Sequence, residues 1–258
     1  MQMNQKPEYV LRRANDLIET AIGNADREKK LALEQIHAHI SLRRGKTQTV
    51  WNKTYELLMK RHLELCVELK DSRTAKDGLH QYRNLCQSVD PNSLEIVIVY
   101  LMDLADTRTT EARVKANKVA IAAAAKVVDL DQEESPESIM LSSMTDEVSS
   151  DRTDREVVVP WLKFLWEIYR AVLELLHKNA KLERVYHKTC EKAFQFCLTY
   201  QRNLEFKRLC GMLHDQLANL TRTNTSQQNS NPNRITKPWE WTSEAVEYHL
   251  QTRISQLE

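Results

Sequence analysis

The amino-acid sequence predicts an all-α protein, an α-solenoid of degenerate TPR- or HEAT-like helical hairpins. Three features carry that reading. Every apolar run of useful length repeats with a period of about 3.6 residues, that of one helix face. The 258 residues hold only four glycines and six prolines, so long stretches run without punctuation. The segment from Trp161 to Lys178 is interrupted by charge only at Lys163, Glu167, Arg170, Glu174 and Lys178, which fall on one narrow stripe. A helix with so little polar surface is packed from two or three sides, and it is the expected centre of the stack. It is too broken by charge to span a bilayer.

Taken in order, Pro7 opens a helix over 7–22, with Val10, Leu11, Ala14, Leu17, Ile18 and Ala21 on one face. A second is expected from about Arg27 to Arg44, with Leu31, Leu33, Ile36 and Ile40 apolar and Gly45 as its stop. Trp51, Tyr55, Leu58, His62, Leu65 and Leu69 then recur at steps of four and three. Ala75, Leu79, Tyr82, Cys86 and Val89 repeat the pattern after a break at Asp71 and Ser72. So short a break predicts an antiparallel hairpin, in which Gly78 admits a close neighbouring helix.

Ile96–Val99 is a β-branched run that would suit a buried strand. Asn92 followed by Glu95 signals a helix start instead, Leu94, Val97, Leu101 and Leu104 keep helical spacing, and no second strand exists to pair. The alanine-rich stretch 116–125 extends that helix with few large anchors. Pro160 sits in the first turn of the central helix, after the DRTDR run. Leu182–Tyr200 and Phe206–Leu220 give two further helices, and the WEWTSEAVEYHL stretch begins another. No strict repeat of about 34 residues is recoverable.

Charge and composition divide the chain. Residues 129–156 carry ten acidic against two basic side chains, while residues 1–70 carry nine against thirteen. A formal net charge of +1 therefore hides basic arms around an acidic connector. The expected organisation is helical repeats over 1–128, an acidic connector over 129–156, central repeats over 157–222, a polar mobile loop over 223–241 and the start of a further helix over 242–258. That last helix stops mid-pattern, so the chain is read as part of something longer.

Several function classes fall away. Phosphate-cradling loops, dinucleotide fingerprints and nucleophile elbows need glycines at spacings this chain lacks. The N-terminus has no signal peptide, and five scattered cysteines fit a reducing compartment, the cytosol or the nucleus. Cys190 and Cys197 with His187, and Cys210 with His214, could in principle hold zinc between two helices. Without a paired C-x₂-C spacing, and with both cysteine stripes apolar, burial is the preferred reading, so no metal or cofactor is expected. No catalytic group is assigned and the chain is read as no enzyme. The basic residues of the first arm, Arg12, Arg13, Arg43, Arg44 and Lys46, are the candidate contacts to phosphate backbone, joined by Lys29 and Lys30. Trp239, Trp241 and exposed helix faces are the rival, protein-binding candidates.

The stretches HLELCVELKDS, AKDGLHQYRNLCQ, PESIMLSS, AFQFCLTYQRNLEFKRLCGMLHDQL and above all DRTDREVVVPWLKFLWEIYRAVLELLHKNAKLERVYH carry a family resemblance. In order and spacing, over most of residues 5–220, the chain resembles the N-terminal region of the largest subunit of eukaryotic translation initiation factor 3. The resemblance implies a helical-repeat arm leading into a PCI domain, which would follow residue 258. It also implies a non-catalytic scaffold role on the small ribosomal subunit near the mRNA exit, supporting assembly of the initiation complex. Implied partners are other factor subunits, especially the PCI subunit c, with small-subunit proteins and rRNA, and with mRNA a further one. Membrane binding is not implied. Residues 21–30 and 116–126 depart from the family pattern. The alternatives are a helical-repeat adaptor of another PCI-containing complex and a stand-alone RNA-binding helical protein.

Overall fold

The described residues form nine α-helices and one 3₁₀ turn, with no strand among them. The computed structural model describes residues 6–19, 25–41, 51–87, 89–127, 157–177, 179–227 and 242–256, and for 25, 117–127, 180 and 223–227 it gives the backbone alone. The helices are α1 (Pro7–Glu19), α2 (Ala25–Ser41), α3 (Lys53–Leu69), α4 (Ser72–Cys86), α5 (Pro91–Val127), α6 (Val159–Leu176), α7 (Glu183–Thr199), α8 (Asn203–Gln227) and α9 (Ser243–Ile254). The acidic connector and Gly45 lie outside the described residues. The chain divides into two compact units, one of Met1–Gln81 with Ile96–Ile168, the other of Tyr82–Glu95 with Tyr169–Glu258.

In the first unit α1, α2 and α3 pack on one another. Val10 and Ala14 of α1, and Leu33, Ile36 and Ile40 of α2, are buried as their spacing requires, whereas Leu31, expected on the same face, is exposed and Ala32 is buried in its place. Polar ties fix the stack at its edges. The Arg61 Nε–H donates to Asn15 Oδ1 (3.0 Å), and Lys29 Nζ lies 2.7 Å from a Glu68 carboxylate oxygen. Each tie links α3 to one of the two preceding helices.

The α3–α4 hairpin shows how sequence becomes a turn. Lys70 adopts the left-handed conformation (φ 55°); its N–H donates to Val67 O (3.1 Å), and that of Asp71 to Cys66 O (2.9 Å). These two bonds satisfy carbonyls that the helix end would otherwise leave open. The Asp71 carboxylate then caps α4, accepting from the Thr74 N–H (3.1 Å) and hydroxyl (2.6 Å). His62 and Gly78 lie at nearly equal distances from the turn, and a Cβ at Gly78 would come within 2.5 Å of His62 Cε1. The close approach expected at this glycine is therefore real, and its neighbour is a fully buried imidazole.

α6 buries most of its surface, as its narrow polar seam predicts. Leu162, Phe164, Leu165, Trp166, Ile168, Tyr169, Val172, Leu173, Leu175 and Leu176 are all buried, while Lys163, Arg170 and Glu174 are exposed. Glu167 is half-buried, because the Ser72 hydroxyl donates to its carboxylate. Lys70 Nζ stands 4.8 Å from the Trp161 ring centroid. Both interactions come from the α3–α4 turn, which is thereby fastened to the first half of α6.

In the second unit Tyr169 packs on Phe196 at 5.8 Å between ring centroids, and the Tyr186 hydroxyl donates to Gln216 Oε1 (2.8 Å), joining α7 to α8. The turn between those helices repeats the first one. Gln201 is left-handed (φ 52°), its N–H donates to Leu198 O (3.2 Å), and that of Arg202 to Cys197 O (2.8 Å). Cys66 and Cys197 thus occupy the same place in two equivalent hairpins.

Elsewhere four more local expectations change. α5 starts at Pro91 and not at an Asn92 cap: the Asp90 side chain accepts the Asn92 N–H (3.0 Å), and Pro91 takes the first position, where no N–H is needed. Val89 leaves the apolar stripe and is exposed, because α4 has already ended at Cys86. The helix expected from Leu182 begins at Glu183, after a 3₁₀ turn over Ala180–Leu182 that Asn179 caps by accepting the Lys181 N–H (3.3 Å). Residues 223–227, expected in a loop, are the last residues of α8, since prolonging a formed helix adds a hydrogen bond per residue without needing an apolar anchor. The rest of that loop, 228–241, lies outside the described residues.

Two variants test the hairpins. Gly78→Ala should destabilise the protein by about 1–3 kcal/mol despite the better helix propensity of alanine, because the confined His62 ring cannot yield. Gln201→Gly should stabilise it by about 0.5–1 kcal/mol by relieving the left-handed strain. Chemical denaturation of both reads the two signs, and a stabilised Gly78→Ala protein would contradict the packing described.

Candidate functional site

α1 presents the first two candidate residues. Val10 and Ala14 face the core, so Arg12 and Arg13 project on the opposite, exposed side beside Tyr9. Glu8, Asp16 and Glu19 are exposed on the same helix, so this face is mixed in charge. Lys29 is taken up by Glu68, whereas Lys30 is exposed. Arg43, Arg44 and Lys46 lie outside the described residues, as do Trp239 and Trp241.

The cysteines do not form the arrangement considered for zinc. All five are free; Cys66, Cys86, Cys190 and Cys197 are buried and Cys210 is half-buried. Burial pushes the Cys86 and Cys197 thiols up to about 12, and it raises Cys66, Cys190 and Cys210 as well. A neutral thiol is a poor nucleophile and a poor ligand. His214 is exposed on α8.

Two polar clusters stand out in the interior of the described residues instead. In the first unit His37 Nδ1 lies 3.3 Å from His62 Nε2, the two rings stack at 5.4 Å, and His62 Nδ1 is 3.7 Å from Cys66 Sγ. Burial, helped by the neighbouring His37 and opposed by Asp71, lowers the His62 pKa to about 3. His62 is therefore a neutral core residue.

The second cluster joins α7 to α9. Glu183 and His187 share a face of α7, and His249 reaches them from α9. Glu183 Oε1 stands 3.9 Å from His187 Nε2 and 3.6 Å from His249 Nε2. Burial raises the Glu183 carboxyl to about 6 and lowers His187 to about 4, the latter with help from His249. Burial and the Arg253 charge lower His249. The sequence offered one signal, the glutamate four residues before His187; nothing in spacing pointed to His249, which is brought in by the packing of α9 on α7.

The family model described as "eIF3a, PCI domain, TPR-like region" matches residues 8–258. The chain belongs to this family. It is 42% identical over 258 residues to the A subunit of eukaryotic translation initiation factor 3 from Nematostella vectensis, covering 98% of this chain and 25% of that protein. The A subunit of Nicotiana tabacum is 44% identical over 252 residues, covering 98% of this chain and 24% of its own. That of Aspergillus terreus is 40% identical over 257 residues, covering 98% of this chain and 23% of its own. The chain thus spans about a quarter of the curated relatives it matches. Membership confirms the TPR-like, all-α reading and the resemblance carried by the central helix and the two hairpins.

The His62 environment makes a pH prediction. Its folded pKa, about 3, is below the unfolded value of 6.5, so between those values the unfolded chain binds more protons. Its contribution to stability should be fully present above pH 6.5 and be lost as pH falls toward 3. The slope is at most about 1.4 kcal/mol per pH unit. Subtracting the denaturation profile of His62→Gln from that of the parent should isolate this contribution; identical slopes for the two proteins would show that His62 does not titrate this way.

Proposed function

We propose that the chain is a non-catalytic scaffold arm of translation initiation factor 3, docking on the small ribosomal subunit near the mRNA exit and supporting initiation-complex assembly. The observation that carries this is the correspondence, along 98% of the chain, with proteins named as the A subunit of that factor. Its partners are the other factor subunits, especially the PCI subunit c, together with small-subunit proteins and rRNA, and mRNA beyond them. The place of action is the cytoplasm. No helix of the described residues is long and apolar enough to cross a membrane.

Binding to rRNA runs through the basic set Arg12, Arg13, Arg43, Arg44 and Lys46. The exposure of Arg12 and Arg13 supports it, and release of counterions from phosphate supplies the driving force. A second, protein-binding surface is favoured by α9. Val246, Leu250 and Ile254 recur four residues apart and are 42%, 58% and 56% exposed, an apolar stripe of the kind that subunit interfaces cover.

Co-sedimentation with purified small ribosomal subunits across a salt series tests the reading. Replacing the five basic residues with Gln should weaken binding and reduce the salt slope by roughly 0.7–0.9 for each phosphate no longer neutralised, with helical content unchanged. Unaltered binding across the series would remove the basic set and leave the α9 stripe as the docking surface. No co-sedimentation of the parent at any salt would remove the docking role.

A further inference from the structure

We propose that Glu183, His187 and His249 form a zinc-binding site that clamps α9 onto α7. The tautomer of His187 is fixed by its neighbours. Its Nδ1 lies 2.6 Å from Thr252 Oγ1, and the Thr252 hydroxyl donates its proton to Tyr248 O (2.9 Å). With the hydroxyl donating there, its oxygen accepts from the Nδ1–H tautomer of His187, which leaves a lone pair on Nε2. A hydroxyl holding the remote nitrogen in this way is the outer-shell device that orients metal-binding histidines.

That lone pair faces a carboxylate. His187 Nε2 and Glu183 Oε1 are both buried, and no hydrogen bond reaches either atom. Two electron-rich atoms 3.9 Å apart, shielded from water, repel one another unless positive charge lies between them. A hydrogen bond does not resolve this, because neither the 3.9 Å nor the 3.6 Å separation to Glu183 is within bonding range. A cation does. The three ligand atoms all lie within 4.8 Å of one another. Tetrahedral zinc with bonds of about 2.0–2.1 Å spaces its ligands by about 3.3 Å, a closure that side-chain torsions can supply.

The donor set narrows the metal. Two imidazole nitrogens and one carboxylate suit zinc, and the hard ions magnesium and calcium prefer all-oxygen shells. Three protein ligands leave a fourth position for water, and the adjoining cleft, lined by Tyr186, Leu213, Thr252 and Gln256, has room for about one water-sized group. Arg253 also lines this cleft, and its guanidinium donates to Gln256 Oε1 (3.0 Å). The ion would cross-link two helices that meet only through tertiary packing, so it would set the position of α9 and of the apolar stripe on its outer face.

The test uses the full chain, stripped with a chelator and titrated with Zn²⁺ against a chromophoric competitor. One equivalent should bind and raise the unfolding temperature. Glu183→Gln and His249→Gln should each weaken binding by more than the roughly 10–100-fold typical of outer-shell changes and abolish the thermal shift. His214→Gln and Cys210→Ser, which alter the exposed histidine and the half-buried thiol outside the cluster, should bind as the parent does. Should Glu183→Gln fail to fold, His249→Gln decides the matter. Substoichiometric uptake by the parent, or parent-like affinity in the folded cluster variants, would overturn the site.

Discussion

Ile168, Val172 and Leu173 of α6 are inaccessible to water, and the large side chains on either side of them are nearly so. Each contributes about 1.5–3 kcal/mol on leaving water, so the covering of this helix is a large source of hydrophobic stabilisation. Such a helix cannot stand at a surface. Its first half is met by the turn between α3 and α4, through Lys70 over Trp161 and Ser72 to Glu167. In its second half Tyr169 meets Phe196, and the Leu175 carbonyl accepts from Arg83 (3.5 Å). Each half is thus covered by the hairpins of its own unit.

The hairpins themselves share one solution to a local problem. A helix must shed its last carbonyls onto something, and both α3 and α7 do so through a left-handed residue followed directly by the next helix. Glycine is the usual choice at that position, yet Lys70 and Gln201 occupy it. For Lys70 the tertiary interaction with Trp161 offsets part of the strain; for Gln201 the structure offers no such compensation. The two turns are equivalent in backbone geometry, with a buried cysteine at the same place in each.

Polar groups in the interior are handled by the same logic in two different ways. His62 is accommodated as a neutral ring, wedged where Gly78 leaves space and stacked on His37. The Glu183–His187–His249 cluster keeps a carboxylate beside two imidazoles, an arrangement that a bound cation would neutralise. Burial is common to both, and the difference lies in the carboxylate that the second cluster holds beside its imidazoles. In a family whose members are subunits of a larger factor, a clamp between α7 and α9 would govern the surface that α9 presents.

The class of fold was legible in the residues alone, because helical period is a local property written into spacing. So were α6, from its seam of charged residues, the hairpin break at Asp71 and Ser72, and the packing role of Gly78. The family was legible too, since long runs such as PWLKFLWE correspond in order. Helix ends were legible only in part: the caps at Asp90 and Asn179 and the extension of α8 depend on short-range hydrogen bonds that compete closely in sequence. Three-dimensional packing was needed to commit Lys29 to Glu68 while Arg12 and Arg13 face water, since exposure depends on what the neighbouring helix brings. It was needed again to bring His249 to His187 and Glu183. Residues on α7 and α9 are separated by a long stretch of chain, and only the packing of one helix against another sets which side chains share a few ångströms of space.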